Sequence, residues 1–345
     1  MSEELLTPYT FRLITLILEK IERHKLSLDK AFHEITAKYK IKQGEKRFIY
    51  VEAWKTLLNF GIAEYILESN GYKNLPLRRK NAFRTAFSFI YDNPAFYDKI
   101  KFVRGGLIGN KLYTLLSPRN IEKAEDKVRS LPVHARLSYF YSFPQYILRR
   151  LLEKLDSRRV EHLLQSFKKR YVWLRIIDKN FENEILLKIR KDKINYKRDD
   201  LFEDLYHLYI TGFQPLPQLP YQIAVYQDKA SVAVVRALLV QKSEKRLFLD
   251  AAAAPGMKTI LYCLDRSEET MALDISYKRL SEAKQLVSSF CKMAHFLATD
   301  SSFVVFRGTI FSNSLVDAPC TNSGAINRDP GLRLALWNLN EKVVK

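Results

Sequence analysis

The stretch from Leu247 to Thr259, LFLDAAAAPGMKT, decides how the chain is read. Leu247, Phe248 and Leu249 form the end of a buried strand, which Asp250 closes. Ala251 to Gly256 is a turn of side chains too small to obstruct a neighbour, and Lys258, Thr259, Ile260, Leu261 and Tyr262 begin a helix. A strand, a small-residue turn and a helix start make a cradle that a ligand can approach closely, with the N–H groups of the turn directed at it. In an open α/β sheet such a turn lies at the carboxyl end of its strand, where ligands bind. The turn holds a single glycine, so it is neither a GxGxxG dinucleotide loop nor the phosphate loop of nucleoside triphosphatases.

Three further acids extend the pattern. Met271, Ala272 and Leu273 are a short apolar run ending in Asp274, 24 residues after Asp250. An acid about 20 residues past the turn, at the end of the next strand, is placed to bind a ribose diol. FLATD ends in Asp300, and SLVDAPC carries Asp317 followed by Pro319 and Cys320. An Asp at a strand end often just caps the following helix. Four in succession, at steps of 24, 26 and 17 residues, outline a repeating strand and helix unit.

These residues resemble the RsmB-like (Sun/Fmu, NSUN) RNA cytosine-C5 methyltransferases. LDAAAAPGMKT is similar to the family's LDLCAAPGGKT, LVDAPCTNSGAINRDPGLRLALW to its VDAPCSGxGxxRRxPxxxW, and YQDKAS at Tyr226 to Ser231 to its FQDEAS. The chain departs at Ala252, where Cys is frequent, at Met257 in place of the second glycine, and at Thr321 to Gly324 in place of SGxG. The resemblance implies an N-terminal all-α NusB-like bundle, a small α+β linker subdomain and a Rossmann-like class I methyltransferase sheet. It also implies S-adenosylmethionine on Ala252, Ala253, Ala254, Pro255, Gly256, Met257 and Lys258, with Asp274 on the ribose, Asp300 on the adenine edge and Asp317 near the methyl donor.

Carbon 5 of cytosine is a poor nucleophile, and a Cys thiolate added at carbon 6 activates it. The resemblance implies that Asp317 contacts the base and that Cys320 assists release, while the nucleophile is another Cys on the next strand. The sequence stops at Lys345, before such a strand, so the catalytic sheet is expected to be truncated. Three readings stand: an RNA methyltransferase lacking its C-terminal part, a catalytically incomplete RNA-binding or assembly protein that keeps the cradle, and an enzyme whose nucleophile is Cys320 itself. The family strand order 3-2-1-4-5-7-6 implies 3-2-1-4 for Arg246 to Leu249, Thr270 to Leu273, Ala294 to Leu297 and Phe311 to Val316. Leu315 and Val316 are then expected on an open edge, an association template, with a second chain supplying the missing strands. LRLALWNLNEKVVK at the end reads as one amphipathic helix.

Working outward, charge divides the chain. The net charge is +19, yet residues 246–345 hold 12 Lys+Arg and 10 Asp+Glu, so the excess lies in the first 245 residues. A basic front joined to a near-neutral cofactor region suits RNA as partner, rRNA or tRNA by the resemblance, with salt-dependent affinity. Hydrophobic residues make up 47%, enough for packed cores and not a disordered chain. Cys263, Cys291 and Cys320 form no CxxC pair, which argues against a disulfide framework or zinc site and for a reducing compartment. No apolar run reaches the ~18 residues of a membrane span, and MSEELLTPYT lacks a signal-peptide core. A cytoplasmic protein without membrane partners is expected.

Periodicity places helices at Phe11 to Arg23, Ser27 to Tyr39, Glu45 to Leu67 and Arg78 to Tyr91. With these helices, the resemblance implies that residues 1–130 are the helical RNA-binding domain, 131–220 the linker helices and small α+β subdomain, and 221–345 the methyltransferase domain. Lys101 to Pro118 reads as a loop or irregular hairpin. Val172 to Ile177 and Ile185 to Ile189 read as strands, and the basic and aromatic residues that follow interleave as on single-stranded RNA surfaces.

Overall fold

A computed structural model gives the fold of this chain for residues 2–167, 170–210, 217–240, 247–266, 268–303, 306, 310–318 and 323–340. The chain divides into two units. One holds the described residues of Met1–Arg170 together with 323–340, and the other those of Tyr171–Ile210 and Leu216–Cys320. The tail from 323 thus falls in the first unit, not in a single block with 221–320.

The first unit is helical. Its principal helices are Pro8–His24, Leu28–Thr36, Gln43–Ser69, Leu77–Asp92, Pro118–Arg129 and Val133–Tyr141. The four predicted stripes all became helices because their apolar residues recur every three to four positions and bury one face; Phe11, Ile14, Ile17, Leu18 and Ile21 do so on the first. Gly61 lets two helices touch: a Cβ there would lie 2.2 Å from the Tyr139 carbonyl oxygen. Charge also enters this core. Arg84 is fully buried and donates to Glu22 and to Glu64, the latter at 2.6 Å. Burial alone would raise the Glu22 carboxyl, but the Arg84 guanidinium overcomes it and holds Glu22 below its ordinary range.

Two readings fail in this unit. The stretch 101–118 is not a hairpin: it holds the end of helix Phe96–Val103, a 3-10 turn at Gly105–Leu107 and helix Asn110–Thr114. Its irregularity is tied down by Arg104, which donates to the Ile108 carbonyl and to Asn110. Among its described residues the stretch read as one helix is α-helical over Gly331–Ala335 only, ahead of Asn338 and Asn340, which are weak helix formers. Its described residues pack within the helical unit. Leu334 enters the helical core, Trp337 meets Phe60 at 4.9 Å between ring centroids, and Arg333, 1% exposed, donates to the Tyr141 and Phe167 carbonyls.

The second unit holds two four-stranded sheets. The first contains β1 (Arg170–Ile176), β2 (Asn195–Arg198), β3 (Leu205–Ile210) and β4 (Ala224–Tyr226) in the order β2-β3-β1-β4, with the β1–β4 and β2–β3 pairs antiparallel. Ile185 to Ile189 is not a strand but part of helix Glu182–Lys191, whose Ile185 and Ile189 pack on Leu174, Ile176, Tyr206 and Leu208. The five-residue window hid a helical spacing of four. Its flanks carried the better signal, with Glu182 and Glu184 in the first turn and Lys188, Arg190 and Lys191 in the last.

The second sheet contains β5 (Leu247–Asp250), β6 (Glu269–Asp274), β7 (Ala294–Ala298) and β8 (Asn313–Leu315), all parallel, in the order β7-β6-β5-β8. This is the 3-2-1-4 order that the resemblance implied. Helices Met257–Asp265 and Tyr277–Val287 connect β5 to β6 and β6 to β7. Among the described residues β8 pairs only with β5. Leu315 is nevertheless buried against Phe248, Leu261 and Tyr262, because the pleat turns it inward; Val316 alone is exposed. Among the described residues no helix is long and apolar enough to cross a membrane.

Candidate active site

The parallel strands deliver their acids to one edge. β5 ends at Asp250 and β6 at Asp274, while Asp300 and Asp317 each lie two residues past β7 and β8. Parallel strands point one way, so equivalent residues must collect at the carboxyl end. Hydrogen bonds then tie these ends together. The Thr299 amide donates to the Asp274 carbonyl at 3.0 Å, Ser301 Oγ donates to the Ala251 carbonyl, and Lys258 Nζ donates to Asp317.

The turn itself corrects one expectation. The N–H groups of Ala251 to Ala254 do not face outward to a ligand. They donate to the Leu315 carbonyl (2.9 Å), Asp250 Oδ1 (3.3 Å), the Leu273 carbonyl (2.7 Å) and Asp274 Oδ2 (3.2 Å) in turn. A buried N–H must find an acceptor, and β5's own Asp250 and the ends of the neighbouring strands β6 and β8 supply them. The donors left for a ligand lie one turn on. Helix Met257–Asp265 begins after Gly256 with no side-chain cap, so its first N–H groups and the Lys258 ammonium form an anion-favouring end. Gly256 makes this turn possible: its φ is +101°, and a Cβ would lie 2.5 Å from Val287 Cγ2. The Met257 side chain turns into the apolar cluster of Ile260 and Val287.

Each acid has its own setting. Asp250 is 1% exposed and accepts from Thr259 Oγ1 at 2.7 Å. Burial pushes its carboxyl up to about 6, against the Thr259 and Ala252 hydrogen bonds that favour the charged form. Asp274 is 3% exposed and already holds Ala254, Ser276 and Arg279. Three of its roughly four acceptor positions are therefore used within the fold. Asp300 lies near the surface, where Ser302 Oγ and the Ser302 amide hold its carboxyl below the ordinary range. Asp317 is exposed beside Lys258. Pro319 and Cys320 lie outside the described residues.

Sequence reasoning missed several residues here. Arg279 bridges Asp274 (3.1 Å) and the Ala254 carbonyl (3.0 Å), locking the turn to β6. Gln227, within YQDKAS, donates from Nε2 to the Met257 carbonyl at 3.3 Å, and Asp228 beside it caps helix Lys229–Leu239. The motif was the signal, since its polar residues support the cradle. Gln227 Oε1 is buried with no hydrogen-bond partner. An orphaned acceptor beside an uncapped helix start leaves one acceptor and several donors at this edge without partners in the fold.

The expectation that the cysteines stay unpaired is also corrected. Cys263 and Cys291 form a disulfide between helix Met257–Asp265 and the residues just past helix Tyr277–Val287. Cys291 lies past the end of helix Tyr277–Val287. The pair is 28 residues apart in sequence, but the two crossovers bring their Cα atoms to 5.7 Å, inside bonding range. With it the cysteine argument for a reducing compartment lapses.

A parallel sheet with a small-residue turn after β5 and acids at or just past successive strand ends defines a Rossmann-like α/β domain. Residues 237–342 match the family model described as 16S rRNA methyltransferase RsmB/F. The chain is 25% identical over 210 residues to ribosomal RNA small subunit methyltransferase B of Shewanella oneidensis, covering 56% of this chain and 46% of that protein. It is 32% identical over 111 residues to the Vibrio cholerae protein of the same name, covering 31% and 25%. The chain thus spans less than half the length of these curated relatives. The crystal structure of PH0851 has a similar fold, with a TM-score of 0.69 at 19% identity, covering 98% of this chain and 79% of that one.

Proposed function

We propose that this chain is an S-adenosylmethionine-dependent RNA cytosine-C5 methyltransferase, acting on rRNA or tRNA, of which it carries the cofactor-binding part. The observation that carries this is the convergence of Asp250, Asp274, Asp300 and Asp317 on the Gly256 turn at one end of the β7-β6-β5-β8 sheet. When bound, S-adenosylmethionine supplies an electrophilic methyl group. Asp274 and Asp300 accept from the ribose and the adenine edge. The helix start at Met257 and Lys258 holds the carboxylate of the amino-acid part, and Gln227 Oε1 accepts from its ammonium. Ala252 to Gly256 leave room for close approach. Asp317, released from Lys258, contacts the target base, and Cys320 after it assists release of the product. The helical unit is a NusB-like bundle that joins the basic front in holding RNA. The side of β8 that pairs with no strand among the described residues accepts the strands of a second chain.

Calorimetric titration with S-adenosylhomocysteine tests the cofactor reading. Wild type is expected to bind, and Asp300→Ala to bind roughly ten-fold more weakly, the scale of one hydrogen bond to a charged group. Asp300 is preferred to Asp274 for the first test because it holds only its own loop. Equal affinities would sink the assignment of Asp300 to the cofactor, and no binding by wild type would favour a catalytically incomplete RNA-binding protein. A covalent complex with RNA containing 5-fluorocytosine that is lost in Cys320→Ala would make Cys320 the nucleophile.

A further inference from the structure

We propose that the antiparallel sheet carries a stacking platform for unpaired nucleobases, built from Tyr171, His207 and Tyr209 with Trp173 at its base. The inference rests on the RNA-directed reading above and names the form of RNA that this part of the chain holds.

The order β2-β3-β1-β4 makes β1 and β3 the central strands. Their side chains alternate between faces. Leu174 and Ile176 of β1, and Tyr206, Leu208 and Ile210 of β3, fill the core against helix Glu182–Lys191. Tyr171, Trp173, His207 and Tyr209 therefore share the opposite face, and they touch there. His207 lies 5.3 Å from Tyr171 with rings 15° apart, 4.9 Å from Trp173 with rings 30° apart, and 4.6 Å from Tyr209. The strip is buried at one end and open at the other. Trp173 packs on the cluster of Val232, Val235 and Phe248, whereas Tyr209 is 47% exposed.

A row of rings on the two central strands of a four-stranded sheet is the geometry on which two or three splayed bases stack. Cations flank it for the phosphates. Lys229 Nζ lies 5.3 Å over the Trp173 ring and is paired with Asp199 at 2.6 Å; Lys197 of β2, largely exposed, sits across the ladder from His207 and is paired with Asp200 at 3.1 Å, so a phosphate would take each ammonium in exchange for its carboxylate. Asn195 pairs with Tyr209 and adds an amide at the open end. Burial holds the His207 ring below its ordinary range, so at neutral pH it presents an uncharged π face. A duplex keeps its bases stacked on one another and offers this face only backbone. The ligand is therefore a single strand, such as the unpaired segment around a target base.

The test uses the full chain with a short unstructured RNA carrying one 2-aminopurine, and a blunt RNA duplex of the same length. Stacking on a ring quenches 2-aminopurine, a readout that aromatic pairs serving only sheet stability would not move. Wild type is expected to quench. Tyr209→Ala and His207→Ala are each expected to weaken single-strand binding roughly ten-fold with loss of quenching, leaving duplex binding unchanged. Tyr209→Phe keeps the ring and is expected to match wild type. No quenching by wild type, equal loss of single-strand and duplex binding, or a Phe variant as weak as the Ala variant would overturn the platform. The outcome separates from the cofactor reading: quenching by a protein that binds no S-adenosylhomocysteine upholds the platform and sinks the methyltransferase assignment. Cofactor binding without quenching does the reverse.

Discussion

The antiparallel and parallel sheets of the second unit place their chemistry differently. In β2-β3-β1-β4 the two faces differ: Leu174, Ile176 and Leu208 fill one, and Tyr171, His207 and Tyr209 occupy the other. In β7-β6-β5-β8 the two ends differ: helix crossovers pack on the strands, and Asp250, Asp274, Asp300 and Asp317 gather at the carboxyl edge. An antiparallel sheet can leave one face uncovered, because its strands need no crossover helix. A parallel sheet is wrapped by its own crossovers, so its free polar groups appear where strands end. Under the two proposals above, one sheet would hold an extended strand of bases along a face and the other a small cofactor at an edge.

The largest effect expected is in the apolar face of the antiparallel sheet. Leu208→Ala removes a fully buried side chain and is expected to cost about 2–5 kcal/mol in urea unfolding. A cost near that of an exposed site would break the two-face description.

At the parallel edge the expected effect depends on pH. Burial raises the Asp250 carboxyl to about 6 from its ordinary 3.8. A raised carboxyl favours the folded state while protonated. Its contribution is therefore complete below about pH 4 and gone above about pH 6, a loss of about 3 kcal/mol as pH climbs. Asp250→Asn carries no titrating group and should show a flatter stability profile across that window. Parallel profiles for the two proteins would mean the carboxyl is not held in a water-poor edge.

Gly256→Ala is expected to cost about 1–3 kcal/mol for backbone strain at φ +101°, with a further penalty for the clash with Val287. Adding Val287→Ala should recover the clash and leave the strain. Full recovery would show that space alone, not conformation, requires glycine.

The smallest effect sharpens the contrast with the first. Tyr209→Ala, one residue from Leu208 but on the other face, is expected to change stability by within about 1 kcal/mol, the worth of a cross-strand aromatic pair. Thermal melts of the two variants side by side give the comparison directly.

Much of this was legible in the residues. The small-residue turn needed no long-range information, since tiny side chains between an apolar run and a helix start permit few conformations. The helical stripes of the first unit were equally local. Ile185 to Ile189 failed because five residues cannot distinguish a period of two from one near four. The tail failed because its apolar residues suit any apolar partner, and Leu334 and Trp337 found theirs in the helical unit. At the site the acids were foreseen but their bonds were not. Asp274 reads as a free ribose acceptor, yet it also anchors Ala254 and Arg279, which lie 20 and 5 residues away in sequence.

The sequence by itself determined where the parallel strands lie, which turn must be small, which charges lie in the front of the chain and which acids fall at or just past the strand ends. These are one-dimensional properties, set by side-chain size, period and spacing. Only the tertiary structure decided that the turn's N–H groups serve the neighbouring strands and not a ligand, that Gln227 supports the helix start, and that Cys263 meets Cys291. It alone decided that four aromatic residues from two strands form one strip. Each of these depends on which elements become neighbours, and neighbours are chosen by packing every apolar face at once, a condition that no local stretch of sequence expresses.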